Sequence, residues 1–175
     1  ELSELISHPI RNLDNGIESS NGSLGHGLSY GSGIAYALKL KKFNSKVYVL
    51  IGDGECNEGS IWEAAMSSSS LKLDNLTCIV DCNLFQSDGK TSNIINQENL
   101  AQRWESFGWH VIEIDGHSFS DIDHAFSLFQ PNKPKLILAK TVKGKGVDFM
   151  ENDNSWHHGR LTESLYQEAI QKLSS

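Results

Sequence analysis

The stretch that decides the fold begins Val47-Tyr48-Val49-Leu50-Ile51-Gly52-Asp53-Gly54-Glu55-Cys56-Asn57-Glu58-Gly59 and ends Cys78-Ile79-Val80-Asp81-Cys82-Asn83-Leu84-Phe85. An apolar, largely β-branched run at residues 47–51 delivers Gly52-Asp53-Gly54 at its carboxyl end, and a second run at residues 77–80 delivers Asn83 just past its own end. In an open parallel sheet, the loops at the strand C-termini line the ligand crevice. Neighbouring strands of this kind aim the Asp53 carboxylate and the Asn83 amide oxygen at one point. Hard oxygen donors suit Mg²⁺, whose octahedral shell is completed by water and phosphate oxygens. Gly52 and Gly54 let backbone approach a phosphate and leave its N–H groups free to donate. The pattern reads as a Mg²⁺-diphosphate site. Asp81 faces away from its strand neighbours and is expected to hold a loop.

Outward from this centre, the chain alternates. Gly22 to Gly27 opens a predicted helix that runs to about Lys42, with Ser29, Gly33 and Ala37 as a small-residue stripe expected to pack on the sheet. Lys39, Lys41, Lys42 and Lys46 cluster where that helix ends, where cations complement its dipole. Residues 57–71 predict a second helix, with Asn57 as N-cap and Ile61, Ala64, Ala65 and Ser68 on one face. Its N-terminus beside Gly54 adds positive potential for a diphosphate. A helix at 100–107, a strand at 109–114, a helix at 120–129 and a strand at 135–141 follow, and Thr162 caps a closing helix to Leu173. Asp115 and His117 are expected in a turn capped at Ser118. This order predicts an α/β fold, a doubly wound and mostly parallel sheet flanked by helices.

Several readings are excluded. Residues 1–175 fit one domain, and a net charge of −7 disfavours a nucleic-acid surface. No apolar run approaches the roughly twenty residues that span a bilayer. Nothing resembles a signal peptide, so the expected compartment is cytoplasmic. Cys56, Cys78 and Cys82 form an odd set that reads as reduced thiols. Lys143-Gly144-Lys145-Gly146 lacks the earlier glycine and the following Ser/Thr of a P-loop. His157-His158 lacks a third ligand at zinc-like spacing. His8 before Pro9 reads, on its own, as a surface histidine.

Gly52-Asp53-Gly54 with Asn83 thirty positions beyond Asp53 resembles the thiamine diphosphate signature. Gly22-Ser23-Leu24-Gly25-His26-Gly27-Leu28-Ser29, Trp62-Glu63-Ala64-Ala65 and Lys140-Thr141-Val142-Lys143-Gly144-Lys145-Gly146 resemble transketolase, and best the N-terminal subunit of its split form. The set is collinear and covers nearly the whole chain. The resemblance implies the thiamin diphosphate-binding fold in a single diphosphate-binding domain. It places the family's upstream helical segment and histidine motif ahead of Glu1, so the polypeptide is expected to be a fragment or a short form.

By resemblance, Mg²⁺ is held by Asp53, Asn83 and the main-chain carbonyl of Phe85. Gly22, Leu24, Gly52, Asp53, Gly54, Glu55, Asn83, Phe85 and His157 contact thiamine diphosphate. His8-Pro9 matches a Gly-His-Pro motif, with Ser7 in place of the glycine, whose histidine contacts the donor sugar. His157, with His158 as its alternative in register, matches a histidine that contacts the diphosphate and a substrate hydroxyl. Glu58 matches a glutamate at the interface between thiamine sites. The implied activity is transfer of a two-carbon ketol unit from a ketose phosphate to an aldose, dependent on thiamine diphosphate and Mg²⁺. The glutamate that activates the cofactor's aminopyrimidine belongs to a second domain, which implies a heterotetramer with a pyrimidine-binding C-terminal partner subunit. It also implies a chain inactive alone. Two alternatives stay open: the α-subunit of a thiamine-dependent 2-oxo-acid dehydrogenase, and a non-catalytic cofactor-binding relative.

Overall fold

The computed structural model describes residues 8–174. Ser7 therefore lies outside the described residues, as do the first positions of the turn-rich opening segment. The elements run α1 (His26–Leu40), β1 (Val47–Gly52), α2 (Gly59–Ser70), β2 (Leu76–Cys82), β3 (Phe85–Gln86), β4 (Gly89–Lys90), α3 (Thr91–Ile94), α4 (Leu100–Ser106), β5 (His110–Asp115), α5 (Phe119–Ser127), β6 (Lys135–Lys140) and α6 (Glu163–Leu173). Four strands form one parallel sheet in the order β1-β2-β6-β5, and β3 and β4 make a separate small hairpin. The register pairs Gly52 with Asp81, Asp81 with Ala139 and Asp115 with Lys140. All four C-terminal ends therefore lie along one edge. The fold is the expected parallel sheet flanked by helices.

Side chains alternate across the strands because the strand period is two residues. Val49, Ile51, Cys78, Val80, Leu136 and Leu138 enter one core with Leu28 and Ala35 of α1, Ile61, Ala64 and Ala65 of α2, and Trp104. Ile137, Ala139 and Ile114 face the other way, against Ala125 of α5. Trp104, fully buried, packs at 5.2 Å from Trp62 and 4.9 Å from Trp109. The Trp109 indole N–H donates to the Ala65 carbonyl at 3.0 Å, so this large ring is buried with its polar atom satisfied.

Two expectations are corrected. The face of α1 that meets the sheet is Leu28, Gly31, Ser32 and Ala35, while Ser29, Gly33 and Ala37 are exposed. Gly31 is the close-packing residue, since a Cβ there would overlap Val49. Asn57 does not cap α2. Asp53 caps a tight 3-10 turn at Gly54–Asn57, and Glu58 takes the N-cap position of α2 without a side-chain hydrogen bond. Helix α1 begins at His26, with Gly25 as its N-cap at φ +79°. A Cβ at Gly25 would lie 2.7 Å from that of Glu58, so both the left-handed backbone and the close approach require glycine. The other expected elements form, and Ser118 and Thr162 cap α5 and α6 as predicted.

Candidate cofactor and metal site

Asp53 follows β1 and is only 2% exposed. Its Oδ1 accepts the Gly54 N–H at 2.8 Å, and its Oδ2 accepts the Leu84 N–H at 2.7 Å. The carboxylate therefore touches the loop that carries Asn83. The Asn83 Oδ1 accepts the Phe85 N–H at 3.0 Å, so acid and amide converge on residues 83–85. Leu84 adopts φ +68°, the turn that folds this loop back over Asp53.

Burial pushes the Asp53 carboxyl above its ordinary value, the Leu84 and Gly54 N–H groups pull it back, and nearby Asp81 raises it further. Among the described residues no cationic side chain pairs with Asp53. A buried carboxylate supported only by backbone N–H groups is electrostatically incomplete. No group of three His, Cys, Asp or Glu side chains able to hold a metal occurs among the described residues. A cation here would depend on hard oxygens from a carboxylate, an amide and the main chain, which is the chemistry of Mg²⁺ and not of zinc. The donor set fits the ion that the sequence implied.

The N–H groups of the glycine pair, expected to be free, are both taken: Gly54 donates to Asp53 and Gly52 to Glu55, because the tight turn folds these carboxylates back onto the backbone. A Cβ built on Gly54 would meet the Gln86 Cβ at 2.6 Å, so the Gly54–Asn57 turn and β3 press together without room for a side chain. Three amides reinforce that contact. Gln97 donates to the Asp53 carbonyl at 2.7 Å and to Asn57 Oδ1 at 2.8 Å, and Asn57 donates to Gln86 Oε1 at 3.0 Å. Sequence reading missed Gln97, Gln86 and this role of Asn57. No local pattern marked them, because Gln86 and Gln97 lie far along the chain from the glycine pair and meet it only through tertiary contact.

Glu55 is turned to the protein. Its carboxylate accepts the N–H of Gly25 at 2.8 Å and of Gly52 at 3.3 Å, tying the entry to α1 to the end of β1. Gly22 lies near His8, with a Cβ at Gly22 falling 3.2 Å from His8 Cδ2. Gly22, Leu24 and Glu55 line a cleft of about 1360 Å³ along the open edge of β1, which includes neither Asp53 nor Asn83. Leu24 is 61% exposed. Glu58 is exposed at the start of α2, its backbone extended and its carboxylate not used as a cap.

The two histidines stand at the far side of the β3–β4 hairpin. His158 Nε2 lies 3.0 Å from Ser87 Oγ, and His157 Nδ1 lies 3.4 Å from Lys143 Nζ, with the rings edge to face at 4.9 Å. Asn154 donates to the Ser87 carbonyl at 3.2 Å and joins this segment to the hairpin. Burial, Lys143 and His158 push the His157 imidazole below its ordinary value, opposed by Asp88. The Lys-Gly-Lys-Gly loop packs back on its own sequel: the Gly146 N–H donates to Glu151 and the Asn152 N–H to the Lys143 carbonyl. No helix among the described residues is long and apolar enough to cross a membrane.

Comparison with known proteins gives the chain's family. Residues 2–174 match the family model described as the transketolase thiamine diphosphate binding domain. The chain is 45% identical over 172 residues to an apulose-4-phosphate transketolase subunit of Phocaeicola vulgatus, covering 97% of this chain and 61% of that protein. It is 41% identical over 176 residues to human transketolase, covering 99% of this chain and 28% of that one. The transketolase structure from Campylobacter jejuni superposes with a TM-score of 0.85 at 30% identity, covering 92% of this chain and 27% of that chain. The chain thus spans about three-fifths of the length of the Phocaeicola relative, and less than a third of the undivided enzymes. Matched from Leu2 to Ser174, this polypeptide belongs to the transketolase family through its thiamine diphosphate binding domain.

Proposed function

We propose that this chain is the diphosphate-binding part of a split transketolase, dependent on thiamine diphosphate and Mg²⁺ and working with a pyrimidine-binding partner subunit. The observation that carries the proposal is the buried Asp53 carboxylate, held by backbone N–H groups, meeting residues 83–85 at the C-terminal edge of the sheet. Asp53, the Asn83 amide oxygen and the Phe85 carbonyl would hold Mg²⁺. The turn at residues 52–54 would lie against the diphosphate, with its own N–H groups already held by Glu55 and Asp53, and Gly22 and Leu24 would lie against the rings. Thiamine diphosphate, when bound, supplies the nucleophilic carbon and the electron sink that carbon–carbon cleavage needs.

This chain's residues supply placement and proton handling. Glu55 holds Gly25 and Gly52 in position for the cofactor. His157, whose burial and neighbouring Lys143 lower its pKa and so favour the neutral ring, would accept a proton from a sugar hydroxyl. His158, tied to Ser87, would orient the hairpin, and His8 beside Gly22 would bind the donor sugar. Glu58 would meet a partner chain. The relatives named as transketolase subunits support a divided enzyme; it would act on a ketose phosphate and an aldose and assemble as a heterotetramer. The test mixes the purified chain with its partner and assays ketol transfer from a panel of ketose phosphates, with calorimetry for thiamine diphosphate and Mg²⁺. Transfer by the pair and not by the lone chain is expected. Full turnover by the lone chain, or no cofactor binding by the pair, would overturn the proposal.

A further inference from the structure

We infer that Asp81, itself held by Thr141, fixes the Asn83 side chain with its oxygen toward the metal, making both of them positioning residues of that site. The inference rests on Asp53 and Asn83 being the metal ligands. An amide ligand has a failure mode that a carboxylate lacks. Its two ends are nearly the same shape, and only the oxygen carries lone pairs. Some feature of the fold must choose between them.

Here two contacts choose. Asn83 Oδ1 accepts the Phe85 N–H at 3.0 Å, and Asn83 Nδ2 donates to Asp81 Oδ2 at 3.2 Å. Turning the amide over would set its NH₂ against the Phe85 N–H and its oxygen against a carboxylate. Two attractions would become two repulsions. The Asp81 carboxylate cannot swing away to relieve this, because its Oδ1 accepts the Thr141 hydroxyl. Asp81 lies on β2 between Gly52 of β1 and Ala139 of β6, while the Thr141 N–H extends the ladder to the Cys82 carbonyl at 3.3 Å. The clamp therefore stands on the sheet itself, which is the rigid support a ligand-orienting shell needs.

The experiment measures Mn²⁺ affinity of the full chain, mixed with its partner subunit and thiamine diphosphate, from the free Mn²⁺ paramagnetic resonance signal, with circular dichroism of the chain as the check on folding. Asp53→Ala should abolish binding. Asp81→Leu removes the acceptor for the Asn83 NH₂ and should weaken Mn²⁺ binding about 10–100-fold at unchanged secondary structure. Thr141→Val, which keeps the carboxylate but frees it, should weaken it in the same direction. The decisive variant is Asp81→Asn, which has lost the same charge as Asp81→Leu. Its amide oxygen still accepts the Asn83 NH₂ while its own NH₂ donates to the Thr141 hydroxyl, so it should bind Mn²⁺ at least about threefold more tightly than Asp81→Leu. A contribution of the Asp81 charge alone would weaken both variants equally. Parent-like binding by both Asp81→Leu and Thr141→Val, or an Asp81→Asn chain as weak as Asp81→Leu, overturns the inference. Absence of Mn²⁺ binding in the parent, or its persistence in Asp53→Ala, instead overturns the reading of the site, and the inference with it.

Discussion

Replacing Gly54 with alanine tests how tightly the loop bearing Gln86 is pressed on the glycine turn. The new Cβ would lie 2.6 Å from Gln86 Cβ and 3.3 Å from its Oε1. That is about 0.8 Å short of ordinary carbon contact. Gln86 cannot simply retreat, because it pairs with Gly89 across the hairpin and its Oε1 holds Asn57. Overpacking costs about 1–3 kcal/mol and the strained amide bond about 1 more. Alanine's smaller unfolded-state entropy returns about 0.5–1 kcal/mol, since φ at this position is not in the glycine-favouring range. The net loss is about 1–3 kcal/mol, or roughly 3–10 °C in Tm for a chain of this size. Urea denaturation of Gly54→Ala, Gln86→Gly and the double variant closes a thermodynamic cycle. In the Gln86→Gly background the alanine should cost at least about 1 kcal/mol less. Equal costs in the two backgrounds, or a Gly54→Ala chain as stable as the parent, would refute the reasoning.

Three further expectations follow from charge and burial. Cys82 is pushed up to about 12 by burial and by the neighbouring Asp53 and Asp81 charges, and burial raises Cys56 and Cys78 as well. At pH 8 the Cys82 thiolate fraction is then about 10⁻⁴, against roughly a quarter for an ordinary thiol. Disulfide-reagent titration should find the three thiols slow in the native chain and fast in guanidinium, and one rapid native thiol would contradict this. Asp74 accepts Lys39 at 2.6 Å and the Asn132 N–H at 2.9 Å; burial raises its carboxyl, and these partners outweigh that and hold it below 3.8. Its contribution is present above pH 3.8 and is lost as pH falls through the lower folded value. With both side chains partly solvated, Asp74→Asn should cost about 1 kcal/mol at pH 7 and progressively less in acid, and an equal cost at pH 2 would refute it. For His157, burial followed by Lys143 lowers the pKa, so proton NMR should place its midpoint below 6.5, and Lys143→Met should move that midpoint upward.

The strands and the glycine pair were legible because each is a local pattern. Residues 47–51 and 77–80 are β-branched runs, and Asp53 and Asn83 lie just beyond them. The buried face of α1 was not legible. Small residues recur on both of its faces, and only contact with Val49 decides that Gly31, and not Gly33, meets the sheet. The capping of α2 was misread for a related reason, since Asn57 is a good N-cap by residue type but is consumed by the preceding turn and by Gln86 and Gln97. Asp81 was expected to hold a loop, and it does bind Asn83 and Thr141. That Thr141 answers it from the end of β6 depends on strand order, which no local pattern records.

The strand order has a consequence for how this site comes into being. Cys78 of β2 lies beside Leu136 of β6, so two strands remote along the chain are neighbours in space. Parallel pairing of remote segments forms late, after the entropy of closing long loops has been overcome. A synthetic peptide bearing both Asp53 and Asn83 would hold every atom needed to chelate an ion and none of the scaffolding that brings those atoms together.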